Sequence, residues 1–235
     1  MKKSNIAMLA VCLVLIPATL FLGMQLPGRS YYITGTAIMI ELMIPFFMAF
    51  EGRRPQAREL VVIAVLCALA IVGRVAIPLP YFKAIFAVII VSGIAFGPES
   101  GFMVGAVSAL VSNFFYGQGP YTPWQMLAYG VAGMLAGFAF RPGKGDPKPW
   151  DMAGFGFLTV LFAVGPLLDC SGLFLIPVEL TLDRAIVVLA TGLVYVNLIQ
   201  AACTAVSLLV FGKPLLDLLN RIKRKYGILG DRNAL

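Results

Sequence analysis

A chain of 235 residues is long enough for one soluble domain, but 60% of its residues are hydrophobic and 12% are charged. Soluble domains carry about 25% charged residues, so this composition cannot cover a globule with a water-facing surface. The net charge of +7 does not mark a nucleic-acid binder, because the basic residues sit between apolar blocks and in the tail, without aromatic interleaving.

The apolar blocks predict eight transmembrane spans, at about 20 residues per crossing: 5–26, 34–50, 59–79, 84–97, 100–116, 124–140, 151–169 and 184–212. The first follows Met1-Lys2-Lys3 and resembles a signal peptide, but it continues to Leu26 without a small-residue cleavage site and reads as a retained span. Turn and charge signals separate the rest: Pro27-Gly28-Arg29, Glu51 to Pro55, Pro78-Leu79-Pro80, Gly97-Pro98-Glu99, Gly117-Gln118-Gly119-Pro120 and Arg141 to Trp150. The stretch from Cys170 to Asp183 divides the last two spans. The fourth and fifth are short, and their Gly-Pro break suits a tight hairpin.

Charge tests that count. Eight spans place both termini on one side with the loops at 51–58, 98–99 and 141–150, which gathers fourteen of the eighteen Lys and Arg residues there. Basic loops favour the cytoplasm, so both termini are expected inside a plasma membrane. The opposite side carries Tyr81, Phe82, Gln118, Tyr121, Thr122, Pro123 and Trp124, then Asp169, Glu179 and Asp183. Aromatic residues there are what an interfacial belt needs. The interleaved amides, hydroxyls and glycines are what a ligand pocket needs.

Within the spans lie Glu41, Arg74, Asn113, Gln125, Asn197 and Gln200. A central charge costs about 2.5–3.5 kcal/mol on insertion scales, so each requires a partner or a use. Gln125 and Tyr129 lie one turn apart, as do Asn197 and Gln200, and Asn113 precedes Phe114-Phe115-Tyr116. These amides point to a shared outer cavity or to a hydrogen-bond network between helices. Small residues at every fourth position (Gly101, Gly105 and Ala109; Gly133 and Gly137 beside Ala128, Ala132 and Ala136) predict close helix packing. Ala57, Ala64 and Ala68 share one face of the third span, which suits either packing or the docking of another protein.

No phosphate-binding G-x-x-x-x-G-K-[ST] loop and no G-x-S-x-G elbow occur, and the absence of histidine excludes a Ser-His dyad. Without histidine, and with Cys12, Cys67, Cys170 and Cys203 widely spaced, no metal site is expected. No catalytic residue and no cofactor are expected either. Three rivals remain: a secondary transporter with Glu41 or Asp169 carrying a proton, a lipid enzyme, and an assembly subunit.

Three stretches resemble the substrate-binding S components of energy-coupling-factor (ECF) vitamin importers. They are Ala57-Arg58-Glu59-Leu60 leading to Ala64-x-x-x-Ala68, then Phe96 to Ala106, then Asn113 to Met126 with its Gly117-Gln118-Gly119-Pro120-Tyr121-Thr122-Pro123-Trp124-Gln125 loop. The resemblance implies an all-α membrane bundle: a two-helix extension (1–56), a six-helix core (57–213) and a basic tail (214–235). It further implies a transmembrane coupling protein docked on Ala64 and Ala68, with two cytoplasmic ATPases supplying energy. The extension and loop are similar to the group linked to cobalamin and other corrinoids, with riboflavin as the alternative. The pocket is then expected from Asn113, Tyr116, Gln118, Tyr121, Trp124, Gln125 and Tyr129, facing Tyr81, Lys83, Asp169, Asn197 and Gln200.

Overall fold

The computed structural model describes residues 10–25, 37, 40, 41, 44, 57–76, 83–119, 121–140, 146–175 and 182–227. Among these residues the structure is helical, with no strand, and it forms seven helices. They are α1 (11–25), α2 (Ala57–Val75), α3 (Ile85–Phe96), α4 (Pro98–Tyr116), α5 (Thr122–Ala139), α6 (149–175) and α7 (182–226). The expected spans from 59 onward therefore each meet one helix. The expected span 34–50 lies outside the described residues except at 37, 40, 41 and 44, all helical. At Glu41 the carboxylate accepts a hydrogen bond from the Thr19 hydroxyl of α1.

Helix α3 lies at the centre. Its 12 residues are nearly all buried, and at about 1.5 Å per residue it is only about 18 Å long. A helix so short cannot cross a hydrocarbon layer of about 30 Å alone. It is instead enclosed by α2, α4 and α5, with α6 and α7 closing the remaining side. Gly97, at φ 89°, makes the turn into α4, a backbone region that side chains disfavour. Pro98 then opens α4 where a missing N–H costs nothing.

The small-residue stripes act as packing surfaces. A Cβ on Gly133 would overlap the Gly101 carbonyl oxygen, and one on Gly105 would overlap the Tyr129 carbonyl oxygen. Likewise a Cβ on Gly93 would strike Gly133, and one on Gly137 would strike Gly97 and Pro98. Three helices thus meet backbone to backbone, the arrangement that gives cohesion where lipid removes any hydrophobic drive between helices.

Helices α6 and α7 are built differently. Both are long and apolar enough to cross a membrane, over Pro149–Gly172 and Asp183–Tyr226, and much of each is exposed. Wider π turns interrupt them at Val160–Val164, Gly192–Asn197 and Leu208–Gly212. Two of these have a local cause. A proline deprives the i−4 carbonyl of its donor and crowds it, and Pro166 and Pro214 each follow a π turn by two residues. Pro17 stands in the same relation to the π turn Val11–Leu15 of α1. The turn at Gly192–Asn197 has no such proline.

Past residue 212 helix α7 runs on to Tyr226 as an amphipathic segment burying Leu216 and Leu219. Its Lys223 donates to the Ala95 carbonyl at the end of α3 (3.1 Å), satisfying a terminal acceptor with a cation. Asp146 accepts from Lys213 (3.3 Å) and Asn220 (3.2 Å), which ties the 146–148 segment to the same helix.

Candidate functional site

At the opposite end of the bundle α2, α4 and α5 converge on a polar network centred on Arg74. Its guanidinium donates from Nη1 to the Ser112 hydroxyl and to Asn113 Oδ1 (2.9 Å), and from Nη2 to Gln125 Oε1 (3.4 Å). Asn113 in turn donates to Gln125 Oε1 (2.8 Å) and Thr122 Oγ1 (3.1 Å). The Thr122 hydroxyl donates to Gln118 Oε1 (2.9 Å), and Gln118 reaches back to the Leu110 carbonyl (2.9 Å).

Two tyrosines face the cation, Tyr116 with its ring centre 5.0 Å from the guanidinium carbon and Tyr129 with its centre at 5.4 Å. Such contacts are worth about 0.5–2 kcal/mol each. The Tyr116 hydroxyl donates to the Arg74 carbonyl (2.9 Å), and Lys83 Nζ lies 3.5 Å from that hydroxyl and 5.6 Å from the ring centre. Arg74 is 9% exposed, whereas Tyr116 is 48% exposed. A buried cation is thus roofed by a half-exposed aromatic side chain.

Local sequence explains the convergence. Asn113 and Tyr116 occupy the last turn of α4, and Gly117, at φ 96°, reverses the chain immediately after it. Thr122 opens α5 with Pro123 beside it, so Gln125 and Tyr129 follow at one-turn intervals on the face toward Arg74.

Of the twelve expected pocket residues, Lys83, Asn113, Tyr116, Gln118, Gln125 and Tyr129 enter this assembly. Tyr121 instead closes the turn, donating to the Gly117 carbonyl (2.7 Å). Trp124 is 1% exposed and packs in an apolar cluster with Phe102, Met103, Leu127, Val131 and Met134. Its position one residue before Gln125 turns it to the other side of α5. Tyr81 lies outside the described residues.

Asp169 and Asn197 form a second cluster between α6 and α7, and Gln200 follows Asn197 by about one turn of α7. Asn197 Nδ2 donates to Asp169 Oδ2 (2.7 Å), while Asn197 Oδ1 and Gln200 Oε1 are buried without a partner among the described residues. Two glycines make the room: a Cβ on Gly165 would overlap the Asn197 side chain, and one on Gly192 the Asp169 carboxylate. No hydrogen bond joins this cluster to the Arg74 network among the described residues.

A family model, the ECF-type riboflavin transporter S component, matches residues 55–221. The chain belongs to the ECF-type S-component family. No curated protein and no solved structure matches it significantly. The S-component family consists of membrane-integral transporter subunits, not enzymes. S components of this family bind a vitamin substrate and work with a coupling protein and ATPases.

Three participants of the network lie outside the expected pocket: Arg74, Ser112 and Thr122, the last named only among the residues of that face. Arg74 stood out only as a costly charge within a span, and Ser112 carried no signal beyond preceding Asn113. The usable clue for Arg74 was its place: a basic residue at the non-basic end of the bundle, which positive-inside topology does not explain.

Proposed function

We propose that this S component captures its vitamin at the end of the bundle formed by Arg74, Asn113, Tyr116, Gln118, Gln125 and Tyr129, with Lys83 at the rim. That end faces the outside, and both termini lie in the cytoplasm of a plasma-membrane protein. The observation carrying this reading is the convergence of amides, a cation and two tyrosines from three helices of a bundle that is otherwise apolar. Aromatic faces for burial and a few oriented polar groups are what a small-molecule site requires. The Asp169–Asn197 cluster, with Gln200, is proposed as the far wall of the same site.

Two substrates are in contention. The extension and the loop at 117–125 favour a corrinoid, and the description of the matching family favours riboflavin. Native mass spectrometry of the purified chain, with its visible spectrum, separates them. A co-purified corrinoid mass with red absorbance is the expected result. A yellow flavin would move the assignment to riboflavin, and failure of every vitamin in a panel to bind would sink the capture site.

The coupling protein is proposed to dock on the face of α2 bearing Ala64 and Ala68. Both are exposed, beside exposed Val61, Val65 and Val72, which supports an unpaired face more than internal packing. Toward the basic end this face leads into an open groove of about 720 Å³ lined by Arg58, Val61, Val62, Ile222 and Tyr226. Ala64→Trp with Ala68→Trp is expected to abolish uptake in cells carrying the ATPases while vitamin binding by the isolated chain persists. Loss of both activities together would instead mark the stripe as internal packing.

A further inference from the structure

We infer that the substrate presents an anionic group, a carboxylate or a phosphate ester, to Arg74; this rests on the capture site proposed above. The guanidinium has five N–H donors, and neutral acceptors take three: Ser112, Asn113 and Gln125. Nε and one Nη2 hydrogen remain without an acceptor among the described residues, and Nε and Nη2 bound one edge of the planar group. Such an edge matches two oxygens of a carboxylate or phosphate.

No carboxylate bonds to Arg74 among the described residues. Asp169 is bonded to Asn197, and the ion pairs of Lys213 with Asp146 and Asp217 lie at the other end of the bundle. Arg74 is nine-tenths buried, so its charge is desolvated and its attraction for an anion is strengthened by the surrounding low dielectric. Lys83 Nζ lies over the Tyr116 ring at the rim of the same network. Neutral amides and ring faces hold the guanidinium in place, and the countercharge arrives with the ligand. The two candidate substrates divide on this point, since cobalamin contains a phosphodiester and riboflavin has no charge.

The test compares matched pairs by calorimetry on the full chain in nanodiscs: cobalamin with cobinamide, which lacks the phosphodiester; flavin mononucleotide with riboflavin; and biotin with biotin amide. In the pair that binds, the anionic member is expected to bind at least about tenfold tighter. Arg74→Gln should weaken the anionic member much more than the neutral one and so erase that margin, and Arg74→Lys should keep part of it. The wild-type comparison stands alone should Arg74→Gln fail to fold. Binding without a margin, or a margin unchanged in Arg74→Gln, overturns the inference and leaves vitamin capture standing. No binding by any of the six compounds overturns both.

Discussion

The two halves of the bundle hold their polar groups by different means. Around Arg74, helices α2, α4 and α5 are locked by backbone contact at glycines, and nearly every polar side chain finds a neighbour. Around Asp169, helices α6 and α7 are π-bulged and largely exposed, and two buried amide oxygens lack partners among the described residues. The first half is a preset frame. The second has spare hydrogen-bonding capacity, and the proline-free π turn at Gly192–Asn197 places Asn197 against Asp169. Such bulges are frequent at functional sites, which suits a wall that adjusts to a ligand held by the frame.

That contrast can be broken most severely at the glycine crossing. Gly133→Leu drives a side chain into the Gly101 backbone and should cost about 3 kcal/mol or more, read as loss of monodisperse protein and a lower melting temperature in detergent. A normal melt would mean that α4 and α5 are not locked.

Next in size is Asn113→Ala, which removes one acceptor from Arg74 and the donor to Gln125 and Thr122. Leaving buried polar groups unpaired costs about 1–3 kcal/mol, visible as a lower melting temperature in ligand-free protein. Asn197→Ala should cost less, because Asn197 makes one such bond in the half that already tolerates unpaired oxygens. Equal losses at the two positions would erase the proposed difference between frame and wall.

Smallest of all is Asp146→Asn, which weakens an exposed pairing with Lys213. Exposed pairs contribute about 0–1 kcal/mol, so thermal melting in low and high salt should barely separate variant from wild type. Gly154→Ala serves as the control for the crossing, since nothing lies within 4 Å of the added methyl group.

The helical architecture was legible because apolar runs and turn residues are local signals. Gly97-Pro98 marked the α3–α4 hairpin, and the Gly101–Gly133 stripe announced the close crossing. Asn113, Tyr116, Gln118, Gln125 and Tyr129 were legible as one cluster because a single loop and its two flanking helix ends carry them all. The α3 length of 12 residues is likewise written between Lys83 and Gly97, but its enclosure by α2, α4 and α5 is not.

What the sequence by itself determined was the helical membrane class, the order of the helices after residue 56, and the family. What only the tertiary structure decided was the company each side chain keeps. Trp124 and Gln125 are neighbours in sequence, yet one turns into an apolar cluster and the other toward Arg74, because about 100° of helical rotation separates them. Arg74 read as an anomaly until α2 laid it against Ser112, Asn113 and Gln125, residues 38 to 51 positions away. A charge buried in a bilayer protein is explained by what surrounds it in space, and no local pattern of residues encodes that.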